Sequence, residues 1–222
     1  MSPLRLLVAG LALCVGLRDA AAQNVRFDVQ NFRPTPGPRD LIVVPQSQPL
    51  SHLSGAVGAY FSFSLDPLVL LNSDGQKAAD VVKNRLELDV MAAIGLSNWL
   101  ELGFVFPVVL FQQSSNLEVI GEEGQIKSNA VGDLAAMFKV PFVRRLSYAS
   151  GFGVSLQGRV NFPTGDQAAF ASDGRVTFTP SFVADYRFGN GILLALQAGV
   201  HIRPAIEFMD VKLGPAFVGA AG

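Results

Sequence analysis

Phe152-Gly153-Val154-Ser155-Leu156-Gln157-Gly158-Arg159-Val160-Asn161-Phe162 decides the fold. Phe152, Val154, Leu156, Val160 and Phe162 occupy alternate positions, with Ser155, Gln157, Arg159 and Asn161 between them. Side chains of an extended strand point alternately to opposite faces, so this spacing makes one face apolar and the other polar. A helix would scatter the same residues around its circumference. The run matches a tilted membrane strand of about 9–11 residues better than the ordinary strand of about 5–6.

The pattern repeats outward in both directions. Downstream, residues 176–188 set Val176, Phe178, Phe182, Tyr186 and Phe188 against Thr177, Thr179, Ser181, Asp185 and Arg187. Residues 192–202 set Ile192, Leu194, Leu196, Val200 and Ile202 against Gln197 and His201, with Arg203 just beyond, and residues 211–221 repeat the pattern more weakly. Upstream, residues 56–65, 85–96, 100–106 and 133–140 alternate likewise, with Glu87, Asp89, Glu101, Asp133 and Lys139 on the polar faces. About eight strands are predicted. Short connections fall around Ser97-Asn98, at 143–150 and at Gly189-Asn190-Gly191, the last a strong hairpin signal. Long ones are expected at 66–84, 107–132, 163–175 and 204–210. Alternating short turns and long loops are the pattern of an up-and-down barrel across a membrane, short turns facing the periplasm.

Composition agrees. Half of the 222 residues are hydrophobic, only 16% are charged, and the mean hydropathy is +0.36. A water-soluble domain carries about 25% charged residues. Beyond the N-terminus no stretch of 18 apolar residues offers a transmembrane helix. The predicted fold class is therefore all-β: an up-and-down antiparallel transmembrane β-barrel, either of eight strands or part of a larger one. A soluble β-sandwich is the competing reading, since its strands also alternate. The long strands, sorted loops and high hydropathy favour the barrel.

Three regions are expected. Residues 1–22 read as a cleaved signal peptide: Arg5, an apolar run over 6–17, then Ala20-Ala21-Ala22, so the mature chain begins at Gln23 and goes to the outer membrane. The single cysteine, Cys14, lies in that signal, and Leu13 before it is too large for a lipidation site. Without Cys14 the mature chain has no thiol chemistry. Residues 23–51 carry Pro34, Pro36, Pro38, Pro45 and Pro49, which block ladder pairing. An extended periplasmic leader is the expectation there, with a lumen plug as the alternative. Residues 52–222 form the barrel.

The expected lumen lining is Glu87, Asp89, Glu101, Lys139, Gln157, Arg159, Asp185, Arg187, His201 and Arg203, with Lys212 on the weakest strand. Both charge signs are interspersed, so mutual ion pairing is expected, with a selectivity lining as the alternative. Tyr60, Trp99, Phe106, Tyr148, Phe162 and Tyr186 are placed near strand ends, where an interface girdle would sit.

Enzymatic chemistry is not expected. His52 and Ser54 would share a face of an extended strand and form a base–nucleophile pair, but no acid is in view to orient the imidazole. Asp66, Asp74, Asp80, Glu122, Glu123, Asp166 and Asp173 are loop carboxylates without a calcium-loop pattern. No phosphate loop, dinucleotide fingerprint or zinc spacing is present, so no cofactor or metal is expected. A net charge of −1 gives no electrostatic basis for nucleic acid.

Four stretches carry a resemblance. Phe27-Asp28-Val29-Gln30-Asn31-Phe32-Arg33-Pro34 with Gly37-Pro38-Arg39-Asp40, Asn98-Trp99-Leu100-Glu101-Leu102-Gly103-Phe104, Gly132-Asp133-Leu134, and Phe162-Pro163-Thr164-Gly165-Asp166 resemble outer-membrane proteins of the OmpA family. The resemblance implies a barrel in outer-membrane lipid followed by a periplasmic peptidoglycan-binding domain, sometimes through acidic calcium-binding repeats. This chain stops at Gly222 with neither that domain nor a terminal aromatic residue. Contact with cell-wall components would thus belong to a domain outside these residues, and the barrel would be part of a larger one. The family offers no catalytic residues. The expected role is structural, in envelope integrity, or that of a passive small pore. A solute channel is the alternative, and a lipid hydrolase using Ser54 a remote third.

Overall fold

The computed structural model describes residues 27–115, 126–145, 150–208 and 211–222. The predicted signal peptide with Cys14, the carboxylates Glu122 and Glu123, and Tyr148 lie outside them.

Among the described residues eleven strands follow one another: β1 (Gly55–Leu71), β2 (Lys77–Ser97), β3 (Leu100–Ser115), β4 (Ala130–Val131), β5 (Leu134–Val143), β6 (Gly151–Phe162), β7 (Thr177–Arg187), β8 (Leu193–His201), β9 (Ile206–Phe208), β10 (Val211–Leu213) and β11 (Ala216–Ala221). Eight of them form one antiparallel sheet in the order β1-β2-β3-β5-β6-β7-β8-β11, curled into a half-barrel. Each large strand pairs with its neighbour along the chain, which is up-and-down topology. β4 adds to β3, and β9 pairs with β10 as a separate hairpin. The expected weak strand over 211–221 is thus two pieces, broken at Gly214-Pro215, and Lys212 lies on the outlying hairpin, not in the sheet.

The strands form where the alternation predicts, but β1 to β3 run further. The long connection expected over 66–84 is absent: β1 and β2 stay paired out to Leu71↔Lys77, and the turn is only 72–76. β3 likewise continues through Pro107 to Ser115. Proline reads as a strand end because it lacks an N–H donor. Here Pro67 sits inside a register shift between Leu65 and Leu68. Pro107 sits where the neighbour on one edge of β3 changes from β5, last paired at Val105↔Ala135, to β4, first paired at Val108↔Val131. A bulge or a change of partner removes the ladder bond that proline cannot make.

The two faces differ in polarity in the opposite sense to a soluble sheet. The convex face exposes Val57 (89%), Phe61 (63%), Phe104, Phe182, Leu194, Leu196 and Phe217 (93%). The concave face buries Arg85, Glu87, Asp89, Glu101, Lys139, Gln157, Asn161 and Asp185. The apolar face is thus turned outward and the polar face inward, consistent with an up-and-down β-barrel.

Candidate functional site

The concave face is occupied. Residues 27–51 run along it from the loop end to the short-turn end, so they are not a leader detached from the sheet. Proline keeps them out of the ladder, as the composition predicts, and the stretch turns back on itself where Thr35 N bonds the Ile42 carbonyl and Leu41 N the Val44 carbonyl. At the short-turn end the free amides of the stretch meet buried carboxylates. Ser47 N donates to Asp185 Oδ2 (2.6 Å), Leu50 N to Glu101 Oε2 (2.6 Å) and Gln46 N to Asp40 Oδ1 (2.7 Å). Lys139 Nζ sits between Asp40 Oδ1 (3.0 Å) and Glu101 Oε1 (3.2 Å). Arg145 reaches Asp185 Oδ1 (3.5 Å) and Gln46 Oε1 (2.9 Å). Its guanidinium lies below its ordinary range because burial disfavours the charge, with Asp185 pulling the other way. Inward-facing glycines make room: a Cβ at Gly95 would strike the carbonyls of Leu50 and Ser51, and one at Gly153 would strike the Ser47 hydroxyl. Those glycines, at polar-face positions, are the sequence signal for the docked segment.

At the opposite end the loop over 163–176 folds inward instead of projecting. Phe170 is fully buried at φ 52° and packs with Val29, Val81, Val82 and Ile126. Its carbonyl accepts from Arg85 Nη1 (2.9 Å), and Arg85 pairs with Glu87 (3.0 Å). Gln112 Nε2 donates to the carbonyls of Lys127 and Ala169. Val29 N donates to the Phe170 carbonyl, and Asp28 N to Asp173 Oδ1 (3.1 Å). The stretches Gly132-Asp133-Leu134 and Phe162–Asp166, distant in sequence, meet here. Asp133 accepts from Gly165 N (3.0 Å) and Asp173 N (3.1 Å), and Leu134 N donates to Thr164 Oγ1 (2.9 Å). Burial raises the Asp133 carboxyl above its ordinary value against these bonds. Asp166 is held below its ordinary value by Lys127, whose Nζ lies 2.6 Å away.

Between these two ends lies a cavity of about 580 Å³, bounded by residues 28–45 on one side and by β5 to β8 and β11 on the other. Of the expected lumen residues, Gln157, Arg159, His201 and Arg203 border it. Glu101, Lys139 and Asp185 lie instead in the packed short-turn zone, Glu87 pairs with Arg85, Asp89 is buried in β2, and Arg187 is half-buried at the end of β7.

Other candidates fall elsewhere. His52 and Ser54 do not meet: Leu53 adopts φ 55°, which breaks the shared strand face. The imidazole Nδ1 bonds the Leu96 carbonyl (2.8 Å), and Ser54 Oγ donates to the Ser51 carbonyl (2.9 Å). Asp66 and Asp80 pair with Lys77. Among the described residues no group of three His, Cys, Asp or Glu is placed to hold a metal. Tyr60 turns inward and stacks on Phe32 at 5.0 Å, so it is not a girdle residue, whereas Trp99 is 61% exposed in the β2–β3 turn. The chain matches no family model, no curated protein and no solved structure.

Proposed function

We propose that this chain is an outer-membrane β-barrel protein of the OmpA-like kind, exported by cleavage of residues 1–22, with a non-enzymatic role in envelope integrity or as a passive pore. The observation that carries the reading is the inverted polarity of the sheet. Large apolar side chains cover the convex face and charged ones are buried on the concave face. In water that convex face would be an extensive exposed patch, whereas in a bilayer it is solvated.

One consequence concerns size. Among the described residues β1 and β11 each present an edge without a partner strand, and lipid tolerates no open edge. An eight-stranded ring holds little more than its own side chains. Here the concave face also holds residues 27–51, which fits a ring wider than eight strands better than one closed on these eight alone. That wider lumen favours a second reading, a solute-transporting channel.

Single fluorophores at 156 and 157, on cysteines in the otherwise cysteine-free mature chain, test the reading. Leu156 belongs to the convex face and Gln157 is buried on the concave one. A nitroxide in the lipid phase should quench the label at 156 more strongly, and Leu156→Arg should cost about 2–4 kcal/mol of barrel stability. Equal quenching, or a chain that stays soluble without detergent, defeats the proposal.

A further inference from the structure

We infer that the cavity between residues 28–45 and strands β6, β7, β8 and β11 is a binding site for small organic anions carrying carboxylate or phosphate groups; the inference rests on the channel reading above. The cavity has about 580 Å³ of space, within the usual range of about 300–1,000 Å³ for small-molecule sites. Three guanidinium groups border it: Arg33 from the threaded segment, Arg159 from β6, and Arg203 just after β8. Asp28 is the one carboxylate among the described lining residues, and Arg33 pairs with it at 3.3 Å. Arg159 and Arg203 have no carboxylate within 4.0 Å among the described residues. Each spends its Nε on a neutral oxygen, Asn161 Oδ1 for Arg159 and the Gly214 carbonyl for Arg203, both at 3.0 Å. Those bonds orient the two cations; Asp89 and Asp28 act on Arg159 only through space, so neither guanidinium has a direct anionic partner among the described residues.

A half-buried guanidinium without a direct anionic partner is best matched by the paired oxygens of a carboxylate or phosphate. The neutral lining fits the same ligand. Thr179 is the register partner of Arg159 and bonds His201 Nδ1 at 2.8 Å. Ser181 Oγ accepts from Gln197 Nε2 (2.9 Å) and keeps its own proton to donate. Phe32, Val43, Met137 and Val218 supply apolar walls that suit an organic anion better than a bare halide.

Citrate binding to the full chain, in neutral-lipid nanodiscs and followed by calorimetry, tests the site. Saturable binding is expected, with a cation such as spermine giving none. Arg159→Gln and Arg203→Gln should each weaken citrate about 10-fold or more, as expected for one lost charge-assisted pair, and Arg159→Lys should keep part of the affinity. If a β-strand variant fails to insert, Arg33→Gln on the threaded segment should instead strengthen the competing attraction of Asp28 and weaken citrate without disturbing the sheet. An inserted chain that ignores citrate overturns the site and leaves the barrel reading standing. Citrate binding that is lost once anionic lipid is added would overturn the free-anion ligand, since the phosphate would then come from a headgroup. A chain soluble without detergent overturns both.

Discussion

Two zones of the concave face look onto the same threaded segment and are filled in opposite ways. At the short-turn end, Glu101, Asp185 and Lys139 are packed against residues 40–50, each joined to that segment by a hydrogen bond or ion pair. One step away, Arg159, His201 and Arg203 border open space. The difference lies in charge pairing. The segment donates the N–H groups of Gln46, Ser47 and Leu50 to the carboxylates of Asp40, Asp185 and Glu101, and Lys139 and Arg145 pair with those same carboxylates. Arg159 and Arg203 have no carboxylate within 4.0 Å among the described residues, and the space beside them stays open.

Removing the cation at the packed zone should break that contrast most severely. Lys139→Met preserves bulk but leaves Asp40 and Glu101, both almost fully buried, without their shared counter-charge. Breaking a buried pair in this way costs about 3–5 kcal/mol. The urea midpoint in detergent micelles should fall accordingly, while Arg203→Gln, which has no carboxylate to abandon, should move it by less than about 1 kcal/mol. Equal losses in the two variants would show that the zones do not differ.

A smaller effect is expected where the backbone of the segment touches the sheet. Gly95→Val would press a side chain on the carbonyls of Leu50 and Ser51. Overpacking of this kind costs about 1–3 kcal/mol, and here it should lift residues 40–51 from the sheet. Limited proteolysis should cut that segment in the variant and spare it in the parent. Gly189→Val, with nothing within 4 Å and no positive φ, should leave the segment protected.

The smallest effect belongs to the loop end, outside the packed zone. Lys127 holds the Asp166 carboxyl below its unfolded value near 3.8. The folded state thus gains from this pair above the unfolded value, and loses the gain as pH falls through the lower folded value. Lys127 is largely exposed, so the pair is worth about 0.2–1 kcal/mol. Lys127→Ala should lower the thermal midpoint slightly at pH 7, and the gap between variant and parent should close once the pH is taken well below 3.8.

Alternation alone identified which residues of the described sheet share a face, because the pleat is a local property of two adjacent peptides. Gln157, Glu101 and Asp185 could be assigned to the polar side without knowing their neighbours. Strand ends at Pro67 and Pro107 were not readable, since a missing N–H matters only if the opposite strand asks for it. The inward fold of the loop around Phe170 was equally hidden, for its apolar partners Val29, Val81 and Val82 lie far away in the chain.

The sequence by itself determined the strands of the sheet, their up-and-down order and the polarity of each face, all of which follow from neighbour-to-neighbour geometry. Only the tertiary structure decided where residues 27–51 lie, which charges are neutralised and which border a cavity. Those outcomes depend on partners 99 residues apart, as for Lys139 and Asp40, or 145 apart, as for Asp28 and Asp173. The physical reason is that a charge is indifferent to sequence distance: its partner is whichever group the folded backbone brings within reach in a poorly solvated interior.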